Sequence, residues 1–180
     1  SLEKAGSEKR VLHDVRERGH AWFATGDLMR MDAEGYFYFV DRIGDTFRWK
    51  GENASTTEVA KAMGTFEGVQ DANVYGVSVP GRDGRAGMAA IVVADNLNLT
   101  ALRDHIAARL PDYARPVFLR IRENMDMTAT FKQKKVDLVK QGFDPETIGE
   151  PIYFNDPAAK AFVPLDEALY KRIHAGEVRL

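Results

Sequence analysis

The segment Asp41–Met63, DRIGDTFRWKGENASTTEVAKAM, sets the organisation of the chain because it passes from an extended run into a helix. Gly44 and Gly51 flank a short run of bulky side chains that is typical of a β-strand. Ser55, followed three residues later by Glu58, forms a capping box and predicts that a helix begins here. This helix would bury two apolar residues that lie four apart, Val59 and Met63.

Upstream, residues 22–42 read WFATGDLMRMDAEGYFYFVDR, in which DAEG separates two aromatic and apolar runs. Gly35 would end the turn, so we predict a β-hairpin over residues 26–42. Both phases of the run YFYFV are apolar, which predicts that this ribbon packs on both faces and needs a partner surface.

Downstream, the runs VQDANVYGVSV and AGMAAIVVA predict a second antiparallel pair, joined by the loop PGRDGR. Thr100 can cap a helix that runs to Leu110 and ends at Pro111. The run PVFLRIRE then predicts a third strand. Helices interleaved with antiparallel strands favour a small α+β domain over a doubly wound sheet.

The last part of the chain is predicted to be mainly helical and irregular. A helical pattern runs from Val136 to Gly142, and residues 142–180 have the character of a wrapping tail. Asp166 can cap a final helix in this tail. The apolar side of that helix would be formed by Leu165, Leu169 and Ile173.

Composition excludes several classes of protein. The 180 residues include 25 Lys and Arg against 27 Asp and Glu, so no general nucleic-acid footprint is indicated. The absence of cysteine removes disulfides, thiolate nucleophiles and cysteine-ligated zinc, and the histidines show no metal-ligand spacing. No apolar run is long enough to cross a bilayer. The sequence opens on Ser1 in a polar stretch without targeting character, and we expect a portion of a longer protein.

Several residues could carry chemistry, and each also has an ordinary structural explanation. Asp27 in TGD could accept hydrogen bonds from a diol, and Arg42 could bind phosphate or hydroxyl oxygens. Turn formation and a surface ion pair explain the same two residues. Gly44 and Gly51 suit a hinge, a close ligand approach or plain turns. Lys132 precedes a helical pattern, where its amine could reach another surface, whereas a lysine run is usually solvated.

Taken in order, these weak signals form a resemblance to a known family. TGDL, DRIGDTFRWKGENASTTEV and TATFK resemble successive motifs at the C-terminal end of the adenylate-forming superfamily, the AMP-dependent synthetases and ligases. YFYFVDRIGDTFRWKGEN, VYGVSVPGRDGRAGMAA, YARPVFLRI and GFDP are similar to its fatty acid transport protein branch, the very-long-chain acyl-CoA synthetases. The resemblance covers nearly the whole chain.

The resemblance implies a two-step reaction. A fatty acid carboxylate attacks ATP to give acyl-adenylate and pyrophosphate, and the thiol of coenzyme A then displaces AMP. It also implies that residues 1–43 end a large N-terminal adenylation domain and that residues 44–180 form a small C-terminal lid domain, which rotates between the two steps. The chain alone would be inactive, with the phosphate loop, the magnesium ligands and the acyl tunnel in the N-terminal part.

The same resemblance assigns roles to single residues. Asp27 and Arg42 match the carboxylate and the arginine that contact the ribose, and Lys132 matches the lysine of the adenylation step. Gly51 matches a glycine of the loop that turns toward the pantetheine channel. The hinge would lie among three successive residues, Ile43, Gly44 and Asp45.

Two positions depart from the superfamily pattern. Phe131 replaces the glycine that often precedes the lysine, which leaves the path of this loop open. At the hinge, Gly44 followed by Asp45 occupies the place of a polar pivot, and a glycine there can absorb backbone rotation.

ATP, coenzyme A and Mg²⁺ are therefore expected for the whole enzyme and none for this chain by itself. The expected partners are a fatty acid, the missing N-terminal domain and no nucleic acid, in a cytoplasmic or peripheral membrane location. Coupling to fatty acid uptake stays open. One alternative is the same chemistry with another acid or acceptor. Another is a non-catalytic binding or membrane-docking module in which FKQKK attracts acidic headgroups.

Overall fold

A computed structural model describes residues 11–15, 17–23, 27–42, 46–94, 97–125 and 135–180 of the chain. The chain divides into two compact units, Ser1–Gly44 and Asp45–Leu180. Whether these units belong to an adenylation domain and its lid stays a prediction at this point.

The described part of the first unit consists of two antiparallel hairpins. Strand β1 (Val11–His13) pairs with β2 (Ala21–Phe23), and β3 (Asp27–Met31) pairs with β4 (Phe37–Arg42). The second pair is the hairpin that the sequence predicted, with Gly35 at a φ of 87° in its turn.

Asp32 organises the turn between β3 and β4. Its Oδ1 accepts hydrogen bonds from the N–H groups of Glu34 at 3.1 Å and Tyr36 at 2.9 Å. The Tyr38 hydroxyl donates to Oδ2 at 2.7 Å. This hydrogen bond from Tyr38 is the main reason that the pKa of the Asp32 carboxyl lies below its ordinary value. The hairpin is therefore fixed by local polar contacts around one carboxylate.

Large apolar side chains of this unit are exposed by between 46% and 68%. They come from both hairpins: Leu12, Val15, Trp22, Met29, Met31, Tyr36, Phe37 and Tyr38. The predicted partner surface for the ribbon is thus not supplied by the residues that the structure describes in this unit.

The second unit opens with a tight hairpin and a helix. Strand β5 (Thr46–Trp49) pairs with β6 (Glu52–Ser55), and helix α1 (Thr56–Gly64) follows directly. The predicted capping box is confirmed on its N-terminal side, since Ser55 Oγ accepts the N–H of Glu58 at 3.2 Å. The predicted apolar stripe is confirmed as well, because Val59 and Met63 are buried.

A five-stranded sheet forms the centre of this unit. Its strands are β7 (Val69–Val77), β8 (Ala86–Val93), β9 (Phe118–Arg122), β10 (Ile152–Asp156) and β11 (Ala161–Pro164). They lie in the order β11-β10-β9-β8-β7. The predicted pair β7–β8 is antiparallel, whereas β8 and β9 run parallel. The α+β class is confirmed, with a mixed central sheet.

Helix α2 (Leu99–Arg109) joins the two parallel strands. Its cap is Asn98, whose Oδ1 accepts the N–H of Ala101 at 3.0 Å, so the prediction of Thr100 as the cap was wrong. Both residue types favour caps, and the helix begins at the earlier one. A short 3-10 turn, Asp112–Ala114, precedes β9.

The end of the chain supplies strands as well as helices. This region contains three helices, α3 (Lys135–Gln141), α4 (Pro145–Ile148) and α5 (Glu167–His174). Strands β10 and β11 of the central sheet lie between α4 and α5. The predicted cap of α5 is confirmed, since Asp166 Oδ1 accepts the N–H of Leu169 at 2.8 Å. The sequence pattern of this region indicated a helix and irregular chain but no strands.

Among the described residues, no helix combines the length and apolar character that crossing a bilayer requires.

Candidate functional site

The structure places the two residues predicted to contact a ribose directly opposite each other. Asp27 is the first residue of β3 and Arg42 is the last residue of β4, and the register of the hairpin pairs them. Directly opposed positions in an antiparallel pair are nearest neighbours across the ribbon. Residues fifteen apart in sequence are thereby brought to one end of the hairpin.

Lys132 and the hinge residues Ile43, Gly44 and Asp45 lie outside the residues that the structure describes. Their assigned roles stay predictions.

Gly51 lies at the tip of the β5–β6 hairpin. Trp49 pairs with Glu52, which leaves a two-residue turn of Lys50 and Gly51 with φ values of 53° and 85°. Two successive positive φ values define a type I′ turn, the geometry that suits a tight hairpin. A Cβ added to Gly51 would meet no atom within 4 Å, so the backbone of this glycine is open to approach.

Phe47 anchors this hairpin on the central sheet. Gly76 of β7 and Gly87 of β8 are register partners, and the Phe47 side chain packs against both. A Cβ at Gly76 would lie 2.7 Å from Phe47 Cβ, and one at Gly87 would lie 2.7 Å from Cζ. Gly76, in VYGVSV, and Gly87, in GRAGMAA, therefore leave room for the Phe47 side chain. No sequence pattern indicated this contact.

The loop between β7 and β8 also contacts the hairpin backbone. The carbonyl oxygen of Arg48 accepts the N–H of Arg85 at 2.7 Å. Gly84, at a φ of 82°, lies so close that an added Cβ would be 2.2 Å from the same oxygen. Side-chain and backbone packing together give the Gly51 turn a rigid base.

A cavity of about 70 Å³ lies beside this turn and is lined by three cationic side chains, Lys50, Arg103 and Arg115. Lys50 Nζ donates to Asp112 Oδ2 at 2.6 Å, and this hydrogen bond is the main reason that the pKa of the Asp112 carboxyl is lowered. A neighbouring cavity of about 170 Å³ shares Trp49 and Lys50 and adds one cation, Arg82, and one carboxylate, Asp83. The cations outnumber the carboxylates around the turn, which favours an anionic ligand.

The arginines of this cavity are held in place by their own hydrogen bonds. Arg115 donates to the carbonyl oxygens of Leu110 at 2.9 Å and Ala107 at 3.0 Å, which lie at the C-terminal end of α2. Arg103 Nε donates to Asn155 Oδ1 at 2.8 Å. These side chains are therefore ordered before any ligand arrives.

A polar cluster lies under α3. Arg120 is 3% exposed; its Nη1 donates to Gln141 Oε1 at 2.6 Å and its Nε to Glu150. Arg122 Nε donates to the same carboxylate at 3.1 Å. Burial raises the pKa of the neighbouring Tyr75 to about 12, an effect that Arg120 opposes. This cluster has no distinctive signal in the sequence, because its arginines follow the ordinary alternation of a strand.

Lys135 differs from Lys140, the other described lysine of the run that begins at Lys132. Its Nζ donates to Oγ1 of Thr56 at 2.8 Å, and Thr56 is 2% exposed. Lys140, on the same helix, is exposed. The lysines of this run are thus not a uniform solvated face.

Across the described parts of the chain, no group of three or more His, Cys, Asp or Glu side chains is arranged to hold a metal ion.

Comparison with known proteins shows the family to which this domain is related. Residues 58–132 match the family of AMP-binding enzyme C-terminal domains. Long-chain fatty acid transport protein 6 of Mus musculus is 49% identical over 176 residues, which is 97% of this chain and 28% of that protein. The chain thus spans little more than a quarter of the length of such a relative.

Solved structures show the same relationship. A fatty acyl-CoA synthetase of Mycobacterium tuberculosis has a TM-score of 0.54 and 29% identity over 68% of this chain and 24% of its own. The o-succinylbenzoate CoA synthetase of Bacillus subtilis, in complex with its acyl-adenylate intermediate, has a TM-score of 0.59 and 27% identity over 66% and 24%.

The chain therefore carries the C-terminal domain of the adenylate-forming enzymes, as the resemblance indicated. Within that class, the chain is similar to long-chain fatty acid transport proteins, with 49% identity to protein 6 of Mus musculus and 48% to protein 2 of Rattus norvegicus.

Proposed function

We propose that this chain is the C-terminal part of a long- or very-long-chain fatty acid:CoA ligase, which forms acyl-AMP from a fatty acid and ATP and then transfers the acyl group to coenzyme A. The observation that carries the proposal is the 49% identity to a long-chain fatty acid transport protein over nearly the whole chain. The two-step order follows from the class, in which one neighbour was solved with its acyl-adenylate intermediate.

Asp27 and Arg42 are proposed to bind the ribose of the nucleotide. A carboxylate offers about four lone-pair sites to the two hydroxyls of a ribose, and a guanidinium offers donors in a fixed fork. Their pairing across β3 and β4 supports a shared ligand, because both positions lie at the same end of the ribbon.

The Gly51 turn is proposed to contact coenzyme A. Its open backbone suits the approach of a narrow pantetheine arm. The cavities beside it, lined by Lys50, Arg82, Arg103 and Arg115, fit the phosphates of the same molecule.

Lys132 is proposed to serve the first step. A fatty carboxylate and a triphosphate repel each other, and an ammonium placed between them stabilises the transition state as charge shifts. Ile43, Gly44 and Asp45 would be the hinge that delivers this amine for adenylation and the Gly51 turn for thioester formation.

The remaining parts belong to the portion of the protein outside this chain. Magnesium ligands are proposed there, since the described residues offer no carboxylate cluster. The phosphate loop and the acyl tunnel are proposed there too, so residues 1–180 by themselves should not form acyl-CoA. Peripheral association with a membrane is the location that suits a fatty acid substrate.

The test measures each step separately in the full-length enzyme. Lys132→Ala should lower the rate of adenylation, as measured by pyrophosphate release, about a hundredfold or more. Thioester formation from supplied acyl-adenylate should fall much less. Gly51→Ala should lower thioester formation more than adenylation. The methyl group that it adds would lie on the open side of the turn, at a strained backbone conformation. Lys140→Ala, at an exposed lysine nearby, is the control. Equal losses in both steps, or none, would contradict the assignments.

A second candidate keeps the chemistry and changes the acid or the acceptor. The neighbour from Bacillus subtilis acts on o-succinylbenzoate, so the fold of this domain does not select one acid. Rates with a series of acids, and with coenzyme A against a carrier-protein thiol, separate the candidates. Preference for a short or aromatic acid would favour this second function.

A further inference from the structure

We propose that the contact between Thr56 and Lys135 positions the adenylation machinery by fixing the start of α3 against the start of α1, which directly follows the β5–β6 hairpin. The proposal rests on the function proposed above, because it concerns how Lys132 is presented for the first step. Thr56 and Lys135 are positioning residues and would touch no substrate.

The contact has the features of a specific bond. Lys135 Nζ lies 2.8 Å from Thr56 Oγ1, and the two residues are 79 positions apart in sequence. Thr56 is 2% exposed and Lys135 is half-buried. A hydrogen bond from a charged donor to an oxygen shielded from water is stronger than a neutral one at the surface.

The rest of α3 is fixed independently of this bond. At the far end, Gln141 accepts the hydrogen bond from the buried Arg120 at 2.6 Å. In the middle, Leu138 is 5% exposed and belongs to the core. The bond from Lys135 to Thr56 adds a contact at the first residue of the helix, a part of α3 that neither Gln141 nor Leu138 holds.

Both partners are close in sequence to residues with assigned roles. Lys132 precedes Lys135 by three residues, a chain length of at most about 11 Å. Thr56 follows Gly51 by five residues and is the first residue of α1, directly after the hairpin that carries the turn. One hydrogen bond thus joins the stretch of the first step to the stretch of the second. Misplacement of a catalytic group by about 1 Å can cost a factor of about a hundred.

Four substitutions in the full-length enzyme test the proposal. Thr56→Val keeps the shape and removes the acceptor, and Lys135→Met keeps the length and removes the donor. Each should lower kcat of adenylation about tenfold, in proportion to a lost hydrogen bond to a charged group. KM for ATP and thioester formation from supplied acyl-adenylate should stay within about twofold of the wild type, since those contacts remain. Thr56→Ser and Lys135→Arg keep the bond and should restore most of the rate.

A double variant and a control sharpen the result. Thr56→Val combined with Lys135→Met should be no slower than the slower single variant, because both remove the same bond. Lys140→Met alters an exposed lysine on the same helix and should leave adenylation unchanged.

The proposal would be overturned by equal losses in both half-reactions, by an equal loss in the Val and Ser variants at Thr56, or by additive losses in the double variant. If Thr56→Val lowers the melting temperature too far to assay, the comparison of Met with Arg at Lys135 decides. Lys132→Ala, run alongside, separates two failures. If it retains adenylation, the proposed role of Lys132 fails; if it loses adenylation while Thr56→Val does not, only the positioning role fails.

Discussion

The β3–β4 and β5–β6 hairpins are both rich in aromatic residues but are held by different forces. In β3–β4, one turn aspartate satisfies the backbone while Phe37 remains 66% exposed. In β5–β6, Phe47 and Trp49 are 2% and 4% exposed and fix the hairpin to the sheet. Turn chemistry is enough to form a hairpin, whereas burial is needed to fix its direction. The turn that carries Gly51 has that fixed direction.

The largest test of this comparison removes one aromatic ring from each hairpin in the chain of residues 1–180. Phe47→Ala should lower the free energy of unfolding of the second unit by about 4 kcal/mol, the usual cost of emptying a buried phenylalanine site. Phe37→Ala should change stability by less than about 0.5 kcal/mol, as surface substitutions do. Urea unfolding, followed by Trp49 fluorescence in a Trp22→Phe background, measures the first effect, and circular dichroism measures the second. A cost below about 1 kcal/mol at Phe47 would refute the anchoring role.

The next test addresses the backbone contact beneath the same hairpin. Gly84→Ala should cost about 3 kcal/mol, since it combines a left-handed φ with a methyl group forced against the Arg48 carbonyl oxygen. Gly81→Ala is the matched control, because Gly81 has a φ of 70° in the same loop and open space around it. Its cost should be only about 1 kcal/mol, the conformational part alone. Similar costs at both glycines in urea unfolding would show that the close approach is unimportant.

The smallest effect concerns the turn of β3–β4 and its dependence on pH. The folded-state pKa of Asp32 lies below the ordinary value of 3.8, mainly through the hydrogen bond from Tyr38. Its contribution to the hairpin is therefore complete above pH 3.8 and is lost as the pH falls through the lowered pKa. An NMR titration should show the amide resonances of Glu34 and Tyr36 moving together with a midpoint below 3.8. A midpoint above that value would mean that the carboxylate does not organise the turn.

Local signals predicted the elements that depend on local contacts. The β3–β4 turn, the Ser55 cap and the Asp166 cap each use residues within a few positions of one another. The cap of α2 was placed at Thr100 because two capping residues lie close together, and propensity alone does not choose between Asn98 and Thr100.

Long-range features could not be read in this way. The seat of Phe47 on Gly76 and Gly87 joins three strands, and the bond between Lys135 and Thr56 spans 79 positions. Strands β10 and β11 lie among prolines that indicated irregular chain. The pairing of β10 with β9, and of β11 with β10, overrides that preference. Of the candidate site, the sequence supplied Asp27, Arg42 and Gly51 through a family resemblance, whereas their register and the cations around the turn required the structure.

The position of β9 in the sheet has a consequence for synthesis on the ribosome. One of its flanks is filled by β8, which is made earlier, but β10 begins about thirty residues after β9 ends. Until β10 emerges, the free edge of β9 presents unpaired amide and carbonyl groups beside an apolar surface. Such an edge is a template for intermolecular strand pairing. Messenger RNAs truncated within this interval should give polypeptides that aggregate. Chaperones that bind unfinished sheets would be needed only until β10 has been made.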